Sequence, residues 1–276
     1  MSYINDNIIT SSQNRKVREV ILLSQKSRER ARQKLFVVEG LREVKACIDS
    51  GFAVTTVFHC PKIIPTEEIQ PVLSGKIENR RVFEVSEDVY AHMAYRAGTE
   101  GIIAIVEEKP RTLFSVAEKL SDIESPLILV AEKVEKPGNI GAILRTADAC
   151  GVDAVLLCDC PTDIYNPNLI RASLGGVFTQ NIAECTTPEA IGYLKNNNIA
   201  IYTAQLQDSL PYYDTDMTKA CAIVMGSEAD GITTAWREAS DKKVLIPMLG
   251  KLDSLNVSVS AAILCYEALR QRTQHK

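Results

Sequence analysis

The sequence is short of the residues and patterns on which most metal and nucleotide chemistry rests. Its 276 residues include only three histidines. Its eight cysteines (Cys47, Cys60, Cys150, Cys158, Cys160, Cys185, Cys221 and Cys265) lie scattered, mostly in apolar runs such as AVLLCDC and KACAIVM. Cys158 and Cys160 form a C-x-C pair, but no second pair or histidine cluster completes four ligands, so free buried thiols are expected and a metal site is not. No G-x-G-x-x-G follows a strand and no G-x-x-x-x-G-K-[ST] occurs, which disfavours a dinucleotide or ATP enzyme. No apolar run reaches the roughly 18 to 20 residues that span a bilayer. The N-terminal stretch MSYINDNIITSSQNRK has no apolar signal core, so a cytoplasmic protein without a membrane partner is expected.

What is present is ordinary globular material, 46% hydrophobic and 24% charged, with a net charge of -4. That balance argues against a protein that coats nucleic acid indiscriminately. The charge is nonetheless uneven. Between Asn14 and Lys34, eight basic residues (Arg15, Lys16, Arg18, Lys26, Arg28, Arg30, Arg32, Lys34) face only Glu19 and Glu29, a local +6. Such asymmetry is typical of nucleic-acid binders. The same segment carries Val17, Val20, Ile21, Leu22 and Leu23, so a plain amphipathic helix with a solvated face also accounts for it.

The hydrophobic pattern divides the chain. Residues 1–109 alternate short helices and strands, an α/β unit, with Gly51 placed to stop a helix. A charged, proline-bearing stretch from Glu107 to Arg111 opens a linker read over 110–125. Residues 126–276 repeat strand and helix: PLILVAEKV, the helix NIGAILRTADAC with Gly151 as its stop, DAVLLC, a helix around Asn166 to Leu174, a strand GVFTQNIAE, then PEAIGYLKNNN, AIYTAQL, CAIVMG, TTAWREAS, KVLIPM and a closing helix from SLNVSVSAA. Apolar strands between helices predict a parallel sheet covered on both faces. In such sheets ligands gather at the carboxyl ends of the strands.

Three blocks sit at predicted strand ends. In VEKPGNIGAILR the turn Lys136–Asn139 feeds a helix whose open amides suit an anion or a ribose oxygen, with Asn139 at the N-cap. Capping alone would explain Asn139, and an i,i+3 pair with Asp148 would explain Arg145. In MGSEADGI an apolar strand stops at Gly226, which admits close approach of a ligand, and Glu228 stands where a carboxylate orients a hydroxyl or an arginine. In IPMLGKLDSLNVSVSAA, Asp253 or Ser254 reads as a helix cap, or the Ser254-Leu255-Asn256 step works on a ligand. Three such strand ends point to one shared site.

These blocks, Asn139-Ile-Gly-Ala-Ile-Leu-Arg145-Thr-Ala, Met225-Gly-Ser-Glu228-Ala-Asp-Gly231, and Ile246-Pro-Met with Ser254-Leu-Asn256-Val-Ser-Val, resemble in order the three motifs of the SpoU (TrmH) family of RNA ribose 2'-O-methyltransferases. The match covers roughly Pro126 to Arg272. A shorter resemblance joins Lys26, Arg28, Phe36-Val-Val-Glu39-Gly40 and Gly101-Ile-Ile-Ala to the family's L30e-like substrate-binding domain. The resemblance implies a C-terminal SPOUT-type parallel sheet with a deep trefoil knot, a rare exception to the rule against knots. It implies S-adenosyl-L-methionine as cofactor, held by Gly226, Ser227, Ile246, Met248 and Leu255. Asn139, Arg145, Glu228, Ser254 and Asn256 become the catalytic set, and Arg28, Arg32 and Arg171 become RNA contacts. A homodimer with motif-three helices at its interface is implied too.

A ribose hydroxyl must lose its proton as it attacks, and a guanidinium stays protonated, so Arg145 is read as an organiser of the hydroxyl or a phosphate, with water or phosphate accepting the proton. The resemblance, through the extra N-terminal domain, implies structured ribosomal RNA over transfer RNA as substrate, a preference of family analogy and not of chemistry. A transfer-RNA enzyme and a non-catalytic RNA-binding protein on the same scaffold are the alternatives.

Overall fold

In a computed structural model, residues 8–95 and 100–274 are described. The first seven residues of the N-terminal stretch lie outside them. The chain forms two compact units: Met1–Lys109 with Asp163–Thr179, and Pro110–Thr162 with Gln180–Lys276.

Up to Lys109 the elements are α1 (Arg15–Gln25), α2 (Ser27–Gln33), β1 (Leu35–Glu39), α3 (Leu41–Asp49), β2 (Val54–His59), α4 (Thr66–Leu73), β3 (Val82–Glu84), α5 (Glu87–Met93) and β4 (Ile102–Glu107). From Pro110 they are α6 (Leu113–Leu120), β5 (Leu127–Glu132), α7 (Pro137–Cys150), β6 (Ala154–Cys158), α8 (Pro167–Ser173), α9 (Gly176–Thr179), β7 (Ile182–Cys185), α10 (Thr187–Asn196), β8 (Ala200–Ala204), β9 (Leu210–Pro211), β10 (Cys221–Met225), α11 (Thr234–Ala239), β11 (Lys242–Leu245) and α12 (Val257–Gln274).

The first unit is a mixed four-stranded sheet in the order β1-β4-β2-β3. Asn14 caps α1 by accepting from Lys16 N–H at 2.9 Å, and Val17, Val20 and Leu23 bury one face of that helix. Part of the β6–β7 crossover completes this unit. The Tyr165 ring stacks on Phe36 with centroids 4.1 Å apart, and Phe178 meets Phe52 edge-on at 5.3 Å. Arg30, counted above with the basic segment, is 3% exposed. Its Nε and Nη2 each lie 2.6 Å from Asp163 Oδ2, and Nη1 donates to the Leu23 carbonyl at 2.5 Å. Arg30 is therefore a buried structural ion and leaves the phosphate-facing set.

The second unit holds seven strands in the order β7-β6-β5-β10-β8-β11-β9, every pair parallel. Every residue of β5, β6 and β10 is buried, as a sheet covered on both faces requires. On one face Ile128, Val130, Leu156 and Val224 pack with Val116 and Leu120 of α6, Leu194 of α10 and Trp236 of α11. On the other, α7 and α12 pack together against β5, β6 and β10. α7 begins with Pro137, whose missing N–H costs nothing there, and ends at Gly151 in the left-handed region at φ +64°.

Two expectations need correction. The stretch 110–125, read as a linker, contains α6, started by a reciprocal Thr112–Ser115 capping box and anchored by buried Val116 and Leu120. The strand read over GVFTQNIAE is a turn of helix, Gly176–Thr179, and only Ile182–Cys185 is extended. Gly175 at φ +95° redirects the chain there, and its carbonyl accepts from Phe178 N–H at 2.8 Å.

Candidate active site

Parallel strands point the same way, so the segments that follow β5, β10 and β11 emerge along one edge of the second sheet. The first correction concerns Asn139. The N-cap of α7 is Lys136, which makes no side-chain cap bond. Asn139 lies inside the first turn, and its side chain reaches two distant segments. Its Nδ2 donates to Glu228 Oε1, and its Oδ1 accepts from Asn256 Nδ2 at 3.2 Å.

Asn256 carries the cap of α12: its Oδ1 accepts from Ser258 N–H at 2.9 Å and from Ser258 Oγ at 2.6 Å. A backbone N–H can only donate, so Ser258 turns the Asn256 oxygen towards itself and the NH2 towards Asn139. Asn139 must then present its oxygen to Asn256 and its NH2 to the Glu228 carboxylate. One fixed donor thus sets the orientation of the whole relay. Ser258 was missed as a site residue in the sequence; Asn-x-Ser at a helix start was the available signal.

The Glu228 turn is tightly built. A Cβ on Gly226 would lie 2.2 Å from the Gly231 carbonyl carbon and 2.5 Å from Ile232 N, so only glycine fits. Ser227 and Gly231 exchange two backbone hydrogen bonds at 3.2 and 3.1 Å, with Gly231 at φ +66°. The Ser227 hydroxyl accepts from Asp230 N–H at 3.0 Å, which occupies it within the turn. Glu228 is held out at the exposed tip.

The third segment is open. Ile246 and Met248 are half-buried, Leu255 is exposed, and Leu249 and Leu252 are 98% and 75% exposed. No backbone group between Met248 and Leu255 hydrogen-bonds among the described residues. Arg145 and Ser254 are also exposed, and neither side chain makes a hydrogen bond or ion pair among the described residues. The alternative role weighed for Arg145, an i,i+3 pair with Asp148, is not made among the described residues; Asp148 accepts from Gln180 Nε2 at 3.3 Å. The structure therefore joins Asn139, Glu228 and Asn256 directly and leaves Arg145 and Ser254 outside their network.

Two thiols at the end of the neighbouring β6 are held towards their neutral form. Burial pushes the Cys160 thiol up to about 12. Cys158, hydrogen-bonded to Cys185 with sulfurs 3.8 Å apart and buried, is also shifted upwards. All eight cysteines are free.

The three arginines assigned to RNA fall in the first unit. Arg28, Arg32 and Arg171 are exposed. Arg32 is engaged by Glu29 through Nε at 2.9 Å and Nη2 at 2.6 Å, which raises the pKa of its guanidinium and lowers that of Glu29.

Residues 126–266 match the SpoU rRNA Methylase family, and residues 14–104 match the MRM3-like substrate binding domain. The chain is 30% identical over 258 residues to the 23S rRNA (guanosine(2553)-2'-O)-methyltransferase RlmP of Bacillus subtilis, covering 94% of this chain and 97% of that one. It is 35% identical over 253 residues to the 23S rRNA (guanosine-2'-O-)-methyltransferase RlmB of Vibrio parahaemolyticus, covering 87% and 98%. Among solved structures, an RNA 2'-O ribose methyltransferase superposes with a TM-score of 0.83 at 36% identity, over 97% of this chain and all of that one. The AdoMet-bound rRNA methyltransferase of Sinorhizobium meliloti superposes with the same TM-score at 27% identity, over 96% and 97%. With its three strand-end segments ordered as described and both halves matched, the chain belongs to the SpoU rRNA methylase family.

Proposed function

We propose that the protein transfers a methyl group from S-adenosylmethionine to a ribose 2'-hydroxyl of structured ribosomal RNA. The observation that carries this reading is the relay from Ser258 through Asn256 and Asn139 to Glu228, which binds the three motif segments into one preorganised edge. Relatives named for 23S rRNA support the substrate class.

The residues present suit the cofactor. Backbone N–H and C=O groups from Met248 to Leu255 make no bonds among the described residues and offer the mixed donors and acceptors that an adenine edge needs. Half-buried Ile246 and Met248 lie beside them, and Gly226, where only glycine fits, opens the turn of the second motif segment. When bound, the sulfonium supplies an electrophilic methyl group and departs as a neutral thioether.

The chain's own residues position the acceptor. Exposed Arg145 holds the ribose hydroxyl or its phosphate by charge-assisted hydrogen bonds. Asn139 and Asn256 fix the wall against which the ribose rests, and Glu228 anchors Asn139. Ser254, whose side chain has no partner among the described residues, contacts cofactor or ribose. The proton passes to water or to a substrate phosphate, since a guanidinium is a poor base.

Arg28, Arg32 and Arg171 neutralise RNA phosphates on the first unit, an L30e-like domain. The second sheet is knotted by its C-terminal segment, a reading supported by α12 leaving β11 and returning across β10 to pack beside α7. Two copies associate through α12, where Val259 and Tyr266, two turns apart, are 47% and 52% exposed. The protein works in the cytoplasm.

Incubation with methyl-labelled S-adenosylmethionine and unmodified ribosomal RNA tests the reading. Label transferred to RNA is expected. Cofactor binding by calorimetry without transfer would sink it in favour of a non-catalytic RNA-binding protein.

A further inference from the structure

Glu132 ends β5 near the middle of the second sheet and is 1% exposed. A carboxylate so placed must find hydrogen-bond donors, and the identity of those donors is informative. Its Oε1 accepts from Thr233 Oγ1 at 2.6 Å and from Thr187 Oγ1 at 3.3 Å, while Oε2 accepts from Thr233 N–H at 3.1 Å. Thr233 occupies the N-cap of α11, yet its side chain makes no cap bond. The hydroxyl that normally caps a helix is given to Glu132 instead.

Thr233 is the exit of the Gly226 turn. It follows Ile232 and Gly231, whose backbone atoms stand 2.2 to 2.5 Å from where a Gly226 Cβ would be. Gly231 is paired in turn to Ser227, and Glu228 between them meets Asn139. The contacts run without a gap from Glu132 to the strand-end relay. A turn that closely packed transmits displacement, because it has no slack to absorb it.

We infer that Glu132 is a positioning residue for methyl transfer: a buried carboxylate that clamps Thr233 and thereby sets the height of the Gly226–Gly231 turn against the cofactor. This rests on the proposed methyltransferase reading. Glutamine at 132 would keep the volume but lose the charge: its oxygen can still accept from Thr233 N–H while its NH2 donates to the Thr233 and Thr187 hydroxyls, so a charge-assisted clamp becomes a weaker neutral one.

The test measures S-adenosylmethionine affinity by calorimetry alongside kcat, RNA affinity and thermal midpoint, in the full chain. Glu132→Gln and Thr233→Val should each weaken cofactor binding about tenfold and lower kcat while RNA affinity holds. Thr233→Ser, which keeps the hydroxyl, should restore wild-type values, and the double variant should be no worse than either single one. Thr233→Val keeps the test open if Glu132→Gln fails to fold. A lowered thermal midpoint with unchanged cofactor affinity and kcat would overturn the inference and leave Glu132 a purely structural ion. A wild-type protein that binds cofactor but never methylates RNA would overturn the functional reading alone; one that binds no cofactor would overturn both.

Discussion

The strand-end edge of the second unit has a closed half and an open half. In the closed half, Asn139, Glu228, Asn256 and Ser258 satisfy one another, and Gly226 is packed against Gly231. In the open half, Arg145, Ser254 and the backbone from Met248 to Leu255 have no partners among the described residues. The contrast separates two tasks. Groups that already have partners define geometry before anything binds, and groups without them are the ones the proposed function gives to cofactor and RNA; a site so divided avoids reorganisation during reaction.

Substitutions on each half should therefore behave differently. Removing an open-half donor costs chemistry and little else: Arg145→Ala should lower kcat by roughly 100-fold to 1,000-fold, with calorimetric cofactor affinity and thermal midpoint unchanged. Cofactor affinity lost in parallel would move Arg145 out of the substrate-facing role. On the closed side, Gly226→Ala forces a methyl group into the turn backbone. Destabilisation of about 1–3 kcal/mol in denaturant titration and weakened cofactor binding are expected together.

Asn256→Asp sharpens the distinction. The carboxylate still caps α12, but it offers no donor to Asn139 and sets negative charge opposite its oxygen. The thermal midpoint should hold while kcat falls about tenfold; an unchanged kcat would break the relay. The same logic applies to arginines in the first unit. Arg28→Ala and Arg171→Ala should each reduce the salt dependence of RNA binding by about one unit of slope. Arg32→Ala should change it less, because Glu29 already engages that side chain. Smallest of all, Ser254→Ala should leave folding stability within about 0.5 kcal/mol, though it lowers transfer.

What could be read from the sequence follows the same division. The strands of the second sheet were legible because continuous burial writes an unbroken apolar run, and α7 because Pro137 and Gly151 bracket it. α6 was not, because a charged proline stretch precedes it and its Thr112–Ser115 box is short. Residues 176–179 have strand-like composition, and their helical turn is imposed by Gly175 and by Phe178 packing on Phe52. For the site, residue types were legible but partners were not. Asn139 looked like a cap because its partners, Glu228 and Asn256, lie far away in sequence, and nothing local distinguishes the two roles. Arg30 looked like its basic neighbours until Asp163 was brought beside it. Glu132 carried no signal at all, since a strand-terminal glutamate is ordinary until Thr187 and Thr233 converge on it.

The central claim is that the acceptor is the ribose 2'-oxygen, and alkaline hydrolysis tests it directly. A 2'-O-methyl group blocks the neighbouring phosphodiester from cyclising, so RNA labelled by the wild-type enzyme should release its label in alkali-stable dinucleotides. Label recovered in mononucleotides would place the methyl group on a base and contradict the account.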